Sequence, residues 1–369
     1  MLNEYRKNID EIDKKLVKLF EERMDTAKKV GEYKKARNMD VLNSAREAEV
    51  LKSRVSLLEN KDYAPYAEDF FAHIMSLSRK LQSGIVKNYE DAPSVCYCGD
   101  PGCYAEEAGA KFFGEGAKLY GTTSFAEVFK TVETGGAEYG VLPIENTSTG
   151  FIRDVLDLLA TYNCNIVGET AISIRHCLLG IEGSKLCDIR EIYSHEQGIS
   201  QSSEFLSELT NVKTIPYINT ATSAKYVANS KDKTKAAIAS ERAAILYGLA
   251  VLKKNINQKT INTTRFIIIS KENTQVKDAD KISVAFRLEH KSGSLCRVLS
   301  HFSGAGLNLM HIESRPLVDK NYEYLFHVDF SGNLSQECVQ EALGKVKGEC
   351  TMLKVFGNYK SCKQEGVGE

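Results

Sequence analysis

The first 82 or so residues carry hydrophobic side chains at helical spacing and contain almost no Gly or Pro. One hydrophobic stripe comprises Ile9, Ile12, Leu16, Leu19 and Phe20, and a second comprises Val50, Leu51, Val55 and Leu58. Apolar residues three or four positions apart lie on one face of an α-helix. The pattern predicts a helical domain over residues 1–86 with about three helices, the first running from Leu2 to Ala36.

After a linker around residues 83–93, short β-branched runs alternate with helical stretches. These runs are Val95–Tyr97, Tyr139–Leu142, Ala171–Ile174, Ala236–Ala239 and Phe266–Ile269. The alternation predicts an α/β domain over residues 92–271. One helix is expected to cover Phe151 to Tyr162, directly after a polar turn.

A second polar stretch, residues 271–281, leads into a third pattern over residues 281–360. Its order is strand, helix, strand, strand, helix, strand: Ile282–Leu288, Leu295–Ser303, Asn308–Ser314, Glu323–Phe330, Gln336–Val346 and Thr351–Asn358. This order is typical of an α+β ferredoxin-like unit. The predicted fold class is therefore multidomain, with an all-α domain followed by an α/β domain and an α+β domain.

Composition excludes several classes of protein. A net charge of −1 over 369 residues argues against nucleic acid as the main partner. Because the chain opens without an apolar signal core and its apolar runs are too short to span a bilayer, no membrane association is expected. Ten scattered cysteines are typical of reduced thiols in a cytoplasmic protein. Cys96, Cys98 and Cys103 cluster without a fourth ligand at a recognised zinc spacing, so no metal site is predicted.

A polar turn follows the apolar strand that begins at Gly140 and ends near Ile144. Hydroxyl, amide and carboxylate side chains crowd residues 145–149, and a helical stretch follows. Unpaired N–H groups at a helix N-terminus bind a small anion readily. The same residues could serve only as a helix cap. Spacing alone leaves both interpretations open.

Prephenate dehydratases share a signature that this turn closely resembles, Pro143-Ile144-Glu145-Asn146 followed by Thr147, Ser148 and Gly150. Other segments resemble motifs of that family in the family's order: Gly99–Tyr104, Ile174–Leu179, Tyr193–Ser202, Thr220–Lys225, Ala236–Ala244 and Asn262–Phe266. In the first of these, Asp100 replaces a small residue or proline and Cys103 replaces a hydroxyl residue. A serine hydrolase site at Ser194, with His176 or His195, is disfavoured because the chain has no Gly-x-Ser-x-Gly elbow.

The resemblance implies a two-lobed α/β fold, similar to that of periplasmic solute-binding proteins, with the substrate between the lobes. It implies that Thr264 hydrogen-bonds or protonates the hydroxyl that prephenate loses together with carbon dioxide. Arg265 and Phe266 would set the pocket. The residues implied to position the substrate are Glu145, Asn146, Ser194 and Gln201. Because aromatisation drives the reaction, no cofactor is implied.

Basic residues occur along the first predicted helix at Arg6, Arg23 and Lys34. Arg23 and Lys34 are close to three turns apart and share a face. Arg6 precedes Arg23 by roughly 25 Å along a straight helix, too far for one metabolite to touch both. If all three belong to one site, Arg6 must come from a second, antiparallel protomer. A long helix with an apolar stripe also needs a partner, which favours a dimer.

This segment resembles the small all-helical chorismate mutases that are fused to prephenate dehydratases. The resemblance implies that Arg23 and the partner subunit's Arg6 hold the carboxylates of chorismate. The other implied contacts are Arg46 near the carboxylates, Lys34 and Gln82 at the ether oxygen, Glu47 at the ring hydroxyl, and Ser78 one turn before Gln82. A pericyclic rearrangement needs only such preorganised charge and a held conformation. Asn43 stands where many family members have Asp.

The C-terminal segment resembles an ACT domain of the phenylalanine-sensing kind, through Gly293–Leu299, Gly306–Leu309 and the Glu-Ser-Arg-Pro motif at residues 313–316. The resemblance implies that backbone groups at Asn308 and Leu309 bind the amino acid near a paired domain. The other residues of the implied effector site are Gly293, Ser294, Leu295, Glu313, Ser314 and Arg315. A ferredoxin-like unit could also simply dimerise.

The three resemblances together identify the chain as a member of the bifunctional chorismate mutase/prephenate dehydratases, cytoplasmic enzymes of phenylalanine biosynthesis. The implied partners are chorismate and prephenate as substrates, L-phenylalanine as effector, and further copies of the chain in a homodimer or homotetramer. Two alternatives stay open. The same architecture could act on arogenate, which carries an amino group in place of a keto group, or it could be a non-catalytic sensor of aromatic amino acids.

Overall fold

The computed structural model describes residues 2–37, 44–86, 92–114, 116–258, 262–273, 276–289, 291–316 and 324–362. The chain divides into two compact units, Met1–Pro93 and Ser94–Glu369. None of the helices in these ranges is long and apolar enough to cross a membrane. The fold class predicted from the sequence is confirmed in all three parts of the chain.

The first unit is all-α, with α1 at Leu2–Ala36, α2 at Ser44–Ser56 and α3 at Ala64–Val86. Helix α1 packs on α3, where Ala27, Ile74 and Met75 are buried. The N-terminal half of α1 instead exposes its large apolar side chains, which are Tyr5, Ile9, Ile12, Leu16, Val17, Leu19 and Phe20. One protomer therefore leaves the predicted apolar stripe of α1 largely uncovered.

The second unit begins with a lobe built on a six-stranded sheet. Its strands are β1 (Ser94–Cys98), β2 (Lys118–Thr122), β3 (Tyr139–Asn146), β4 (Gly150–Phe151), β5 (Asn165–Ser173) and β11 (Thr263–Ser270), in the order β2-β1-β3-β11-β5 with β4 beside β3. Its helices are α4 (Tyr104–Phe113), α5 (Phe125–Glu133) and α6 (Arg153–Thr161). The late strand β11 lies between β3 and β5 and is antiparallel to both.

The helix expected to begin at Phe151 begins two residues later, at Arg153. Phe151 instead pairs with Glu145 as part of β4. The turn between β3 and β4 is closed by Gly150, whose φ of +81° favours glycine, and by the side chain of Asn146, which accepts a hydrogen bond from the Ser148 N–H. The polar turn is thus a tight hairpin rather than a helix cap.

The second lobe is a five-stranded sheet that the chain enters after β5 and leaves before β11. Its strands are β6 (Cys177–Gly180), β7 (Glu191–Ser194), β8 (Lys213–Pro216), β9 (Lys235–Ala239) and β10 (Ala250–Lys253), in the order β10-β6-β9-β7-β8. Its helices are α7 (Glu196–Gln201), α8 (Ser203–Ser207), α9 (Thr220–Ser230) and α10 (Glu241–Tyr247). The chain crosses between the lobes twice, once after β5 and once before β11. Both crossing segments border the space between the two lobes.

The C-terminal part has the predicted order of elements and forms a four-stranded antiparallel sheet, β13-β14-β12-β15. Its elements are β12 (Lys281–Leu288), α11 (Ser294–Gly304), β13 (Leu309–Pro316), β14 (Tyr324–Ser331), α12 (Glu337–Glu349) and β15 (Met352–Tyr359). One face of the sheet packs Phe286 and Phe330 against its helices, where Phe302 of α11 contacts Phe330. The other face joins the core of the first lobe through Phe356 and Tyr359.

This packing is tight at Gly357, where a side chain would overlap the backbone carbonyl of Ile166 on β5. We expect Gly357→Ala to lower the unfolding free energy of the second unit by about 1–3 kcal/mol, because the sheets would have to move apart. Gly344 on α12 has open space around it, so Gly344→Ala is a matched control expected to cause no loss. Urea denaturation measures both variants, and equal stabilities would contradict the close approach.

Candidate active site

The two lobes of the second unit enclose a cleft of about 510 Å³, a size suited to a single-ring metabolite. Apolar side chains such as Phe125, Ile152 and Phe266 line part of it, and Asn146 and Thr264 line another part. Among the described residues, those that line the cleft include no Asp, Glu, Lys or Arg. Their polar side chains are amides, hydroxyls, the thiols of Cys98 and Cys103 and the imidazoles of His176 and His195.

Asn146 and Thr264 are paired residues at the ends of the adjacent strands β3 and β11. Both are largely buried. The Asn146 Nδ2 donates a 2.8 Å hydrogen bond to the Thr264 Oγ1. Because the threonine oxygen accepts this bond, the hydroxyl proton is available to a group in the cleft. Two residues 118 positions apart in the sequence thus form one polar pair.

A closed ring of hydrogen bonds holds Asn146. The Asn146 Nδ2 also donates to the Asn262 Oδ1 at 2.8 Å, and the Asn262 Nδ2 donates to the Gln201 Oε1 at 3.0 Å. The Gln201 Nε2 donates to the Ser148 Oγ at 2.9 Å, and that hydroxyl donates to the Asn146 Oδ1 at 2.5 Å. Every member donates and accepts in the same sense around the ring. Such bonds polarise one another and fix the orientation of each amide.

His176 is buried, lines the cleft and contacts the ring. Its Nε2 lies 3.1 Å from the Gln201 Oε1 and its Nδ1 lies 3.2 Å from the Tyr104 hydroxyl. Burial lowers the pKa of His176 to about 4, so the imidazole is neutral near pH 7. Since the Gln201 oxygen only accepts, the proton lies on Nε2. A neutral His176 supports the ring but supplies no acid to the cleft.

The lowered pKa of His176 also predicts that the stability of the fold depends on pH. His327 on β14 contributes in the same way, because burial lowers its pKa to about 4 as well. Between pH 6.5 and 4 the unfolded chain binds protons that the folded chain does not, so stability is present above pH 6.5 and falls as the pH drops. We expect a loss of up to about 3 kcal/mol per histidine across this window.

Urea denaturation of the full chain at several pH values measures this loss. His327 lies away from the cleft, so His327→Leu removes one titrating group without altering the hydrogen-bond ring. The variant is expected to lose less stability than the unaltered chain between pH 6.5 and 4. Parallel pH profiles for the two proteins would show that His327 does not contribute.

Ser194, predicted to position a substrate, does not line the cleft. It is fully buried, and its Oγ donates to the Ile238 carbonyl on β9 at 2.9 Å. Gly198 in α7 lies over it so closely that a side chain there would meet the Ser194 hydroxyl. Ser194 thus joins β7 to β9 beneath α7, and its role in positioning the substrate stays a prediction.

Arg265 and Glu145, also predicted near the substrate, lie on the opposite face of the sheet from Thr264. Successive residues of a strand point to opposite faces, so the side chain that follows Thr264 points away from the cleft. The Arg265 Nε lies 3.1 Å from Glu145 Oε2, and its Nη1 lies 2.9 Å from Glu169 Oε2. Neither Arg265 nor Glu145 is among the described residues that line the cleft, and their roles toward the substrate stay predictions. Phe266, one residue on, returns to the cleft.

Arg265 reaches the C-terminal sheet, where its Nη2 lies 3.5 Å from Asp329 Oδ2. Lys281 completes the group, 3.0 Å from Glu169 and 3.3 Å from Asp329. Burial alone would lower the pKa of Arg265, but the carboxylates of Asp329 and Glu169 outweigh it and raise that pKa. Arg265 therefore stays charged, and the cluster joins the strand that carries Thr264 to the C-terminal sheet.

Helices α4, α5 and α9 begin at the cleft, where their first residues Tyr104, Phe125 and Thr220 line it. Helix N-termini carry partial positive charge and unpaired N–H groups, which suit carboxylates. These termini therefore bring partial positive charge to the cleft.

The two departures from the opening motif have different consequences. The Asp100 carboxylate accepts a 2.5 Å hydrogen bond from Thr222 and lies 3.6 Å from Lys225, both on α9, so Asp100 joins the two lobes. Cys103 lines the cleft, and burial raises the pKa of its thiol to about 12. Cys103 is therefore un-ionised near pH 7. Within the described ranges, no three His, Cys, Asp or Glu side chains come close enough to share a metal ion.

In the helical unit, Arg23 on α1 donates to the Ser78 Oγ and, at 3.3 Å, to the Ile74 carbonyl on α3. Burial, followed by the charge of Arg54, lowers the pKa of Arg23. Arg54 on α2 was not predicted as a site residue. Gln82 lies one turn after Ser78 on α3 and is half-buried.

The remaining predicted mutase residues are placed less completely. Lys34 is half-buried on α1, and Arg6 is exposed near the start of that helix. Arg46 and Glu47 belong to α2, but their side chains and Asn43 lie outside the described residues. A single chain thus brings Arg23 and Ser78 together, but it does not bring Arg6 to them.

The predicted effector residues separate into two groups. Gly293, with φ of +80°, precedes α11, and Ser294 and Leu295 line a cavity of about 110 Å³. Leu309 begins the edge strand β13, directly after Asn308. Along β13 the side chains alternate between half-buried and exposed. Ser314 is exposed on that strand.

Glu313 and Arg315 contact the first lobe. Arg315 makes a bidentate pair with Asp157 of α6 at 3.0 and 2.6 Å, and Glu313 lies 3.9 Å from Arg153. Their place in the effector site stays a prediction. The motif that contains them joins the C-terminal sheet to the helix that follows the polar turn.

Comparison with known proteins covers nearly the whole chain. Residues 5–83 match the chorismate mutase type II family, and residues 95–274 match the prephenate dehydratase family. A bifunctional chorismate mutase/prephenate dehydratase of Aquifex aeolicus is 33% identical over 359 residues, 97% of each chain.

Two solved structures resemble the second unit. A prephenate dehydratase from Arthrobacter aurescens in complex with L-Phe is 29% identical with a TM-score of 0.68, over 73% of this chain and 90% of that one. GqqA, described as a novel type of quorum quenching acylase, is 29% identical with a TM-score of 0.67, over 73% and 98%. Because the Aquifex relative matches over 97% of both chains, this chain belongs to the family of bifunctional chorismate mutase/prephenate dehydratases.

Proposed function

We propose that this chain rearranges chorismate to prephenate in its helical unit and converts prephenate to phenylpyruvate in the cleft, under feedback by L-phenylalanine. The observation that carries the second activity is the Asn146–Thr264 pair, which leaves one hydroxyl proton for a group in the cleft. Both activities belong to the family, and neither needs a cofactor.

The dehydration follows from the chemistry of prephenate. The bond between the ring and its carboxylate breaks, carbon dioxide leaves, and that electron pair moves through the ring to expel hydroxide. Thr264 donates a hydrogen bond to the departing oxygen, which leaves as hydroxide and becomes water by taking up one net proton from the solvent. Aromatisation drives the step, so stabilising the developing charge on oxygen is the main task.

Binding of the doubly charged substrate is assigned to the first turns of α4, α5 and α9. The first residues of these helices line the cleft, and none of the described lining residues is a Lys or Arg. The described lining residues also include no Asp or Glu to pair with the ammonium group of arogenate. This absence favours prephenate over arogenate, because a buried ammonium without a partner is costly. The un-ionised Cys103 gives no support to an acylase nucleophile in this cleft.

Mutase chemistry is assigned to Arg23, with Ser78 orienting its guanidinium and Gln82 and Lys34 at the ether oxygen. The uncovered apolar stripe of α1 supports a homodimer in which Arg6 of the partner subunit completes the site. Paired dimers in a homotetramer would satisfy the same requirement.

We assign the effector to residues 281–360, acting as an ACT domain that pairs with a second copy. The cavity beside Ser294 and Leu295 lies where the resemblance places half of the effector site. The ten free thiols fit a reducing compartment, which supports a cytoplasmic location.

Steady-state assays with prephenate and arogenate, each with and without L-phenylalanine, test the second activity and its regulation. We expect phenylpyruvate from prephenate, little turnover of arogenate, and lower turnover when L-phenylalanine is present. Binding of aromatic amino acids without turnover of either substrate would favour the non-catalytic sensor.

A further inference from the structure

Asn262 occupies a position in the hydrogen-bond ring that the substrate need not touch. It lies just before β11, is largely buried, and does not line the cleft. Its side chain contacts Asn146 on the first lobe and Gln201 on the second, and its carbonyl accepts a 2.7 Å bond from the Ile174 N–H. Asn262 therefore connects both lobes and both crossings of the chain.

The geometry of the ring sets the direction of the Thr264 hydroxyl. The two hydrogens of the Asn146 Nδ2 have two acceptors, the Asn262 Oδ1 and the Thr264 Oγ1, each at 2.8 Å. With the first hydrogen held by Asn262, the second points at Thr264. The threonine oxygen must then accept, and its own proton turns into the cleft.

We propose that Asn262 is a positioning residue for dehydration, which acts by orienting the Asn146 amide so that Thr264 is a hydrogen-bond donor to the leaving group. The proposal rests on the dehydratase activity proposed above. Without the Asn262 oxygen, the Asn146 amide is held on one side only. Without the Asn262 Nδ2, the Gln201 oxygen loses its ring partner, so the ring opens on both sides.

A double-mutant cycle with Asn262→Ala and Thr264→Ala in the full chain tests the proposal. We expect Asn262→Ala to lower kcat for prephenate about 10- to 100-fold with little change in KM, because an orienting bond in the transition state is lost. In the Thr264→Ala background, Asn262→Ala should lower kcat by no more than about a further threefold, because its effect passes through Thr264. The proposal would be overturned if the kcat losses of the two single variants multiplied in the double variant. It would also be overturned if kcat for Asn262→Ala equalled that of the unaltered chain.

Asn257 provides a matched control at the same crossing. Its side chain accepts a 2.6 Å hydrogen bond from the backbone N–H of His176 and donates one of 3.2 Å to the Ile174 carbonyl. It takes no part in the ring. Any loss of kcat in Asn257→Ala should multiply with that of Thr264→Ala, as expected for a structural residue. If the two asparagine variants behave alike, Asn262 has no positioning role.

Asn262→Asp keeps the shape and the oxygen that holds Asn146, and it serves if the alanine variant fails to fold. We expect its kcat to stay within about tenfold of the unaltered value while KM rises, because a new negative charge lies near a dianionic substrate. A kcat as low as that of Thr264→Ala would contradict the proposal. If the unaltered chain does not convert prephenate, the proposed function itself fails, and that outcome is distinct from normal turnover by Asn262→Ala.

Discussion

Replacing Thr264 with alanine is expected to lower kcat for prephenate about 100- to 1,000-fold, the usual cost of losing one preorganised donor to a developing oxyanion. The Thr264 hydroxyl accepts a hydrogen bond from the Asn146 amide and keeps its own proton for a group in the cleft. The rate of chorismate rearrangement should not change, because the mutase residues belong to the other unit. Both rates are measured on the same preparation by following prephenate and phenylpyruvate.

Two further variants make this prediction specific. Thr264→Ser keeps the hydroxyl and should retain most of the activity. Thr263→Ala alters the neighbouring threonine, which does not line the cleft, and should leave kcat nearly unchanged. If Thr264→Ala converts prephenate at the normal rate, the leaving group is assisted by another residue.

Mixing Arg6→Ala and Arg23→Ala chains is expected to restore mutase activity that neither variant has alone. Arg6 lies on α1 roughly 25 Å from Arg23, so one chain does not supply both to one substrate. In a mixed dimer one site receives both intact arginines and the other receives neither. Random exchange makes half of the dimers mixed, so activity should recover to about a quarter of the unaltered value.

The control replaces one partner with the double variant Arg6→Ala/Arg23→Ala, which provides no intact arginine to any site. Mass spectrometry of intact complexes confirms that mixed dimers have formed. Absence of recovery in verified mixed dimers would rule out a site shared between subunits.

Much of the fold is predictable because its signals are local. The 3.6-residue stripe along α1 predicts a helix with the bounds observed, Leu2–Ala36. The order of elements after residue 281 predicts the C-terminal sheet, because each run is long and bounded by polar residues. The start of α6 is missed by two residues, since the hairpin at Gly150 depends on pairing between β3 and β4.

The site is predictable only in part, because motifs give neighbours in sequence and not the face on which each lies. Thr264 and Arg265 share one motif, yet the strand directs the first into the cleft and the second toward Asp329. Nothing in the sequence near Asp329 or Lys281 shows that packing of a remote sheet buries them beside Arg265. Asn262 and Ser148 lie within quoted motifs, but only the register of β3 against β11 reveals the ring.

One time course tests both reactions together: purified protein receives chorismate, and chromatography follows chorismate, prephenate and phenylpyruvate. We predict that chorismate disappears, prephenate rises and falls, and phenylpyruvate accumulates, whereas Thr264→Ala stops at prephenate. Chorismate and separately supplied prephenate that both stay unchanged would contradict the assignment of either reaction to this chain.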